Sequence, residues 1–241
     1  MSDLVVRNTT IRSKSHAIKF GSTCDADCYN GYFENITIYD SNSGLSVQQR
    51  GTGSIYNLTF RDIRVETRYQ SPRWWGNGEW LSFTVEPRYI GDSVGDIHDL
   101  RFEGITARSE NGGLLSANIP NGVNNVVFSD INVTILSGIG NYSTGLGPAC
   151  CKPGGDEMTC MGTRDHGPSY VEDVDCTSFG NCRTVAKADG LRIENAHNVL
   201  LEDFNVEFEG DRQDWFGGCV ALDERCTEVE VKGTKDCVNA E

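Results

Sequence analysis

The chain has 241 residues, of which 38% are hydrophobic and ten are cysteine, and its formal net charge is −14. The acidic residues are scattered, so the sequence lacks the basic face that nucleic acid or an anionic membrane surface requires. We therefore exclude nucleic acid and membranes as partners, and we expect a monomer that uses no cofactor.

The ten cysteines point to disulfides rather than to a metal site. They lack zinc-ligand spacing with histidines and form no Cys-x-x-Cys pair. Asp25 and Asp27, which lie between two of them, supply too few oxygen ligands for calcium, so we assign no metal. Disulfides imply an oxidising compartment. Proximity along the chain suggests three local pairs: Cys24 with Cys28, Cys176 with Cys182, and Cys219 with either Cys226 or Cys237.

Five Asn-x-Ser/Thr sequons also indicate a secreted glycoprotein. They begin at Asn8, Asn35, Asn57, Asn132 and Asn141. Residues 1–20 nevertheless lack the apolar core of a signal peptide, and no segment has the length of a membrane span. We interpret the chain as a fragment that is truncated at its N-terminus.

A repeated pattern of alternating apolar and polar residues runs through the chain. It reads LVVRNTTI, GYFENITI, NLTFRDIRV, DLRFEGITA, NVVFSDINV and NVLLEDFNV. Three intervals between repeats are 27, 27 and 26 residues, and such a constant period predicts a solenoid. Each repeat breaks at a small residue: Asn8, Asn35, Asp62, Gly104, Asp130 and Asp203.

The repeat unit is β rather than α, because it alternates with period two and is rich in β-branched residues. A second short strand follows each of several repeats: AIKF, GLSV, WLSFTV and LLSA. We predict a single-stranded parallel β-helix, with a β-sandwich as the alternative. In a β-helix Asn8 and Asn35 would form a hydrogen-bonded ladder, which we favour over glycosylation at these two positions.

We expect one β-helix domain over residues 1–241. Residues 1–135 form its regular coils, residues 136–185 a Cys/Gly-rich insertion, and residues 186–241 the terminal coils.

The segments FENITIYDSNSGLSVQQRGTGSIYNLTFRDIRVETR and RWWGNGEWLSFTVEPR resemble glycoside hydrolase family 28, the polygalacturonase group of right-handed parallel β-helices. The resemblance covers residues 3–135 well and the remainder loosely. It implies inverting hydrolysis of a glycosidic bond in a pectin-like polysaccharide of the cell wall, with carboxyl groups on either side of that bond.

Two motifs of the family match this chain in part. SHAIKFGS resembles the family's Gly-His-Gly segment, which places His16 at the active-site histidine, with Ser15 and Ala17 in place of the glycines. GLSVQQR resembles the Arg-Ile-Lys segment, but Ser46 and Gln48 replace the two basic residues. A neutral or differently charged sugar is therefore more credible than polygalacturonate. The catalytic aspartates are expected one coil earlier, upstream of Met1.

His16 is accordingly an auxiliary catalytic residue that orients a carboxylate, or alternatively an ordinary polar residue at a bend.

The short strands present a polar outward column, if their apolar residues point inward. This column is either a sugar-binding groove or a solvated sheet face. The inward residues are Ile18, Phe20, Leu45, Val47, Leu81, Phe83, Leu115 and Ala117. The outward residues are Lys19, Ser46, Gln48, Arg50, Ser82, Thr84, Glu86, Ser116 and Asn118.

We expect Lys19, Gln48 and Arg50 to contact substrate. Trp74 and Trp75 either stack on sugar rings or cover the core of a long loop. Glu79 and Glu86 are substrate-binding candidates, and also a remote candidate for a catalytic pair. Two other functions compete with hydrolysis. One is non-catalytic carbohydrate binding, and the other is a polysaccharide lyase in which Lys19 and Arg50 neutralise a uronate.

Overall fold

The computed structural model describes residues 2–68, 70, 76, 78–87, 91–136, 188–210 and 216–233. Within these ranges the chain forms thirteen β-strands and no helix, so the predicted all-β class is confirmed there. It follows that no helix in these ranges has the length and apolar character to cross a membrane. Trp74, Trp75 and residues 137–187, which include nearly all of the predicted insertion, lie outside the described residues.

Long and short strands alternate along the chain. The long ones are β1 Ser2–Ile11, β3 Cys28–Ser41, β5 Ile55–Thr67, β7 Ile97–Ser109, β9 Val123–Ile135, β11 Ala196–Phe208 and the shorter β13 Thr227–Lys232. The short ones are β2 His16–Gly21, β4 Ser43–Gln49, β6 Leu81–Val85, β8 Gly113–Ala117, β10 Leu191–Glu194 and β12 Val220–Leu222.

The strands form two sheets, and every strand pair within them is parallel. The long-strand sheet has the order β1-β3-β5-β7-β9-β11-β13, and the short-strand sheet has the order β12-β10-β8-β6-β4-β2. Each long strand therefore pairs with the next long strand, with a strand of the other sheet between them in sequence. A β-sandwich of the alternative type has antiparallel sheets. Two parallel sheets are consistent with the predicted β-helix.

Equivalent residues of successive repeats stack in the core. Phe33, Phe60, Phe102 and Phe128 occupy one register column, and their rings lie 4.9, 5.2 and 4.6 Å apart at angles of 12° or less. All four side chains are buried. The phenylalanine that stands before four of the six breaks in the repeat therefore forms a continuous aromatic stack.

The small residues at the breaks share an uncommon backbone conformation. Asn8, Asn35, Asp62, Gly104, Asp130 and Asp203 all have φ between 51° and 65°. A second column of this kind lies five residues earlier in each long strand: Asp3, Asn30, Asn57, Asp99, Asn125, Asn198 and Glu228, with φ between 52° and 59°. Asn, Asp and Gly adopt this left-handed region most readily. Each long strand from β1 to β11 is therefore bent twice, and the sequence pattern revealed one of the two bends.

The predicted asparagine ladder is present. Nδ2 of Asn35 donates a 2.7 Å hydrogen bond to Oδ1 of Asn8 on the neighbouring strand. In the second column Asn57 donates to Asn30 at 2.7 Å, and Asn30 donates to Asp3 at 2.9 Å. These side-chain bonds connect adjacent strands at both bends and so fix their register.

The cysteines depart from the predicted pairing. Cys24 and Cys28 are in contact, with their sulfur atoms 2.8 Å apart, and both are free thiols. Cys219 is in a disulfide and Cys226 is a free thiol, so of the two predicted partners of Cys219 the first, Cys226, is wrong. The physical reason is that the Cys226 thiol is directed to the end of β10, where it donates to the carbonyl oxygen of Ile193. The other predicted partner, Cys237, lies outside the described residues. The pair of Cys176 with Cys182 lies outside the described residues.

Candidate functional site

A polar strip covers the face of the short-strand sheet that points away from the core. It exists because side chains alternate between the two faces of a strand. The predicted inward residues are all buried in the core, and cross-strand pairs such as Phe83 with Leu115 align them. We define the polar strip by its outward side chains: Lys19, Ser46, Gln48, Arg50, Ser82, Thr84, Glu86, Ser116, Asn118, Arg192 and Glu194.

Much of the polar strip is shielded from solvent although it faces away from the core. The exposed fractions of Ser46, Gln48, Ser82 and Glu194 are 3%, 4%, 4% and 5%. A solvated sheet face would leave such side chains open to water, so that interpretation is wrong for these positions. Buried polar groups require hydrogen-bond partners, and the strip supplies several of them itself.

Lys19 and Gln48 form the first contact along the strip. Nζ of Lys19 donates to Oε1 of Gln48 at 3.0 Å and to Oγ of Ser22 at 3.2 Å. Lys19 lies opposite Ser46, and Gln48 lies two residues further along the neighbouring strand. Two of the residues that the sequence assigned to substrate binding, Lys19 and Gln48, are therefore brought together.

Arg50, Glu86 and Asn118 form the second contact, just beyond the ends of three neighbouring strands. Nη2 of Arg50 lies 3.5 Å from Oε2 of Glu86. Nδ2 of Asn118 donates to the other oxygen of the same carboxylate at 2.8 Å. The Arg50 and Glu86 side chains are only 17% and 11% exposed. A shielded ion pair with an amide partner holds its geometry better than an exposed pair would.

A third group, contributed by β10, was not predicted. Oγ of Ser116 donates to Oε2 of Glu194 at 2.9 Å. Nε of Arg192 lies 3.7 Å from Oε1 of Glu194 and 3.6 Å from Oδ2 of Asp189. Asp189 also accepts a 2.9 Å hydrogen bond from the backbone N–H of Gly218. The strip thus extends to β10 and includes a guanidinium between two carboxylates.

The sequence contains a weak signal for this third group. LRIE alternates apolar and polar residues just before the repeat NVLLEDFNV. Four residues are too few for such alternation to be distinctive, which is why the pattern was missed.

His16 and Glu79 lie where the sequence placed them, at the beginnings of the short strands. His16 pairs with Ser43 in register, and Gly44 donates its N–H to the carbonyl oxygen of Glu79 at 3.0 Å. Glu79 is fully buried and forms an isolated bridge with Asn111. This row of residues is separate from the polar strip.

The candidate pair of Glu79 and Glu86 is wrong. Seven residue steps separate the two, and the five-residue strand β6 lies between them. At about 3.3 Å per residue, an extended chain of that length spans about 23 Å. Carboxyl groups that act on one glycosidic bond lie at most about 9.5 Å apart, so these two cannot act together.

Comparison with known proteins finds no matching family model, no matching curated protein and no matching solved structure. The polar strip and the parallel sheets are therefore the structural basis for any functional conclusion. Trp74 and Trp75, the predicted stacking residues, lie outside the described residues.

Proposed function

We propose that this chain belongs to a secreted glycoside hydrolase of the family 28 type, which hydrolyses glycosidic bonds in a pectin-like polysaccharide. The observation that carries this proposal is the polar strip, in which amides, hydroxyls, guanidinium groups and carboxylates lie side by side on parallel strands. Such groups complement sugar hydroxyls, which both donate and accept hydrogen bonds.

A right-handed parallel β-helix is the fold that we propose for the whole chain. Supporting it, the chain alternates between two parallel sheets, and ladder partners such as Asn8 and Asn35 are 27 residues apart. Connections between parallel strands are right-handed in most proteins.

The strip has the length of an extended oligosaccharide. It crosses five of the six short strands, β2 to β10, and neighbouring strands lie about 4.8 Å apart, so it extends over about 19 Å. Lys19 and Arg50 make one part of the strip basic, whereas Asp189 and Glu194 make the part at β10 acidic. A sugar chain that lies across the strands would meet both parts.

In this proposal the residues of the chain bind and orient the substrate. Inverting hydrolysis needs one carboxylic acid to protonate the leaving oxygen and one carboxylate to activate water. By the resemblance, both belong to motifs that come about one coil before the histidine segment. His16, at the beginning of β2, would orient one of these acids.

Carbohydrate binding without hydrolysis is the second candidate. Two observations favour it for the residues that the structure describes. Glu79 and Glu86 are too far apart to act on one bond, and Glu86 and Glu194 are both engaged by arginines. Each carboxylate also accepts a hydrogen bond at its other oxygen, Glu86 from Asn118 and Glu194 from Ser116, so neighbouring side chains already occupy both groups.

The full-length protein incubated with a panel of plant and algal polysaccharides tests these functions. The hydrolase proposal expects the release of reducing ends. Binding in calorimetry without such release would favour the second candidate. Formation of an unsaturated uronate, detected by its ultraviolet absorbance, would establish the lyase and overturn hydrolysis. Absence of both binding and cleavage over the panel would overturn all three.

The variants Gln48→Ala and Arg50→Ala locate the site on the polar strip. We expect each to weaken oligosaccharide binding about tenfold, because Gln48 positions the Lys19 ammonium group and Arg50 positions the Glu86 carboxylate. Arg64→Ala is the matched control, since Arg64 is an exposed arginine on β5 of the other sheet. Equal affinities of Arg50→Ala and the parent protein would place the site elsewhere.

A further inference from the structure

Four of the sequons lie in the described residues, and all four are on the long-strand sheet. Asn8 is in β1, Asn35 in β3, Asn57 in β5 and Asn132 in β9. All four side chains are on exposed residues, so exposure does not distinguish between them. The hydrogen bonds of their side-chain amides do distinguish between them. The comparison is sharpest for Asn35, Asn57 and Asn132, whose strands have a neighbour on both sides.

Asn35 and Asn57 use their amide nitrogens to connect strands. Nδ2 of Asn35 donates to Asn8, and Nδ2 of Asn57 donates to Asn30, both at 2.7 Å. Both asparagines also have the left-handed backbone conformation of the bends. A substituent on either nitrogen would have to fit between two strands about 4.8 Å apart, and it would disturb a short ladder bond.

Asn132 has the opposite arrangement. Its oxygen makes the connection between strands, by accepting a 3.2 Å hydrogen bond from Nδ2 of Asn205 on β11. Its nitrogen makes a long 3.3 Å contact with Asp130, a side chain on its own strand two residues away. Asn132 is also outside both columns of left-handed residues. A substituent on this nitrogen leaves the contact between strands intact.

We propose that Asn132 is a site of N-glycosylation and that Asn35 and Asn57 are unmodified in the folded protein. In the transfer, Nδ2 of Asn132 attacks the anomeric carbon of an oligosaccharide that is linked to a lipid pyrophosphate. The new C–N bond forms as the bond from the anomeric carbon to the pyrophosphate oxygen breaks. The nitrogen loses one proton to a base, and the lipid pyrophosphate leaves.

The position of this site is compatible with use of the polar strip. Asn132 lies on the long-strand sheet, whereas the strip lies on the short-strand sheet. A glycan at Asn132 would therefore extend from a different face of the molecule. It would also leave the two ladder columns unaltered.

The test is expression of the full chain in a eukaryotic secretory host, with three variants that remove one sequon each and keep its asparagine. These are Thr134→Ala, Thr37→Ala and Thr59→Ala, which affect Asn132, Asn35 and Asn57 in turn. We expect Thr134→Ala to increase gel mobility by one glycan, and we expect no change for the other two. Glycan release in heavy-oxygen water, followed by peptide mapping of the unsubstituted protein, gives the same information without any variant.

Isotope incorporation at Asn132, with none at Asn35 or Asn57, is the supporting result. A mobility change for Thr37→Ala or Thr59→Ala, or none for Thr134→Ala, would overturn the proposal. The peptide map decides the question even if a variant fails to fold.

Discussion

Ser116 donates a 2.9 Å hydrogen bond to Glu194, although 78 residues separate the two in the sequence. The contact forms because β8 and β10 are neighbours in the short-strand sheet and align these two residues in register. Through this contact the polar strip includes residues of β10, which follows residues 137–187 in the sequence. This part of the candidate site can be tested separately from Gln48 and Arg50.

Glu194→Gln should weaken oligosaccharide binding about fivefold and leave the fold intact. Glutamine retains an oxygen that can accept from Ser116, but it loses the charge that attracts Arg192. Hydrogen bonds to charged groups contribute about 1 kcal/mol more than those between neutral groups, which corresponds to this factor. Isothermal titration calorimetry measures it. Ser116→Ala, which keeps the carboxylate, should have a smaller effect; the reverse order would exclude Glu194 from the binding surface.

Gly113→Ala should destabilise the protein by about 1–3 kcal/mol through overpacking. A Cβ atom at this position would lie 2.9 Å from the indole ring of Trp80, which is fully buried and donates a 3.0 Å hydrogen bond to the carbonyl oxygen of Gly190. Urea unfolding measures the loss. Combining Gly113→Ala with Trp80→Phe should cost less than the sum of the single changes, because the smaller ring relieves the clash. Strict additivity would show that the two residues do not clash.

Gly104 should tolerate asparagine but not valine. It has φ 65° in the same column as Asp62 and Asp130, where asparagine and aspartate are otherwise found. The new side chain would meet the Asp62 carboxylate, whose oxygen would lie 2.9 Å from the added Cβ atom and can move aside. Valine cannot adopt this φ without strain of about 1–2 kcal/mol. Equal unfolding free energies of Gly104→Asn and Gly104→Val would contradict the assignment of this column.

Asp40 should contribute stability that is lost in acid. Hydrogen bonds from Arg68 and, at 2.8 Å, from Arg12 hold the pKa of Asp40 below its ordinary value, against the opposing effect of burial. Because the pKa is lower in the folded state, the stabilisation is complete above the ordinary aspartate pKa and is lost as the pH falls through the folded pKa.

Urea unfolding of Asp40→Asn at several pH values tests this expectation. The variant should be less stable than the parent protein at pH 7, and the difference should narrow below about pH 4. Asp92→Asn is the control, because Asp92 is exposed and makes none of the ion pairs seen in the described residues. A constant difference between Asp40→Asn and the parent over the whole pH range would contradict the role of the two arginines.

The Cys24 thiol should react slowly with alkylating agents in the native protein. Burial, followed by its hydrogen bond with Cys28, raises the pKa of Cys24 to about 12, so the reactive thiolate is scarce at pH 8. Mass spectrometry after timed alkylation measures this, and unfolding should make the reaction fast. Addition of a small-molecule disulfide should oxidise the two neighbouring thiols to a Cys24–Cys28 bond. Rapid native labelling of Cys24 would contradict the buried contact.

The repeat could be predicted from the sequence because its signals are local. Asn8 and Asn35 mark the bends, and the alternation around Phe33 and Phe60 marks the core face. Each of these positions is defined by its immediate neighbours and by a constant spacing. The same alternation placed Gln48 and Glu86 on the polar strip before their partners were known.

The contacts within the strip could not be predicted in the same way. Arg50 contacts Glu86 because β4 and β6 pair in register. The number of residues between these strands differs from the regular repeat, so no local sequence pattern predicts that register. The part contributed by β10 was missed because four alternating residues carry little information. The pairing of Cys219 likewise depends on which thiol the folded chain brings near, and sequence proximity to Cys226 was misleading.

Ladder partners can be 27 residues apart, as Asn8 and Asn35 are, yet Ser54 and Asp96 in adjacent repeats are 42 residues apart. With both spacings the strands join the same sheet, and the two columns of left-handed residues stay aligned. The fold therefore tolerates longer connections between successive strands, because the entropic cost of a loop grows only slowly with its length. Segments between neighbouring strands can therefore lengthen while ladder bonds such as that from Asn35 to Asn8 stay in place.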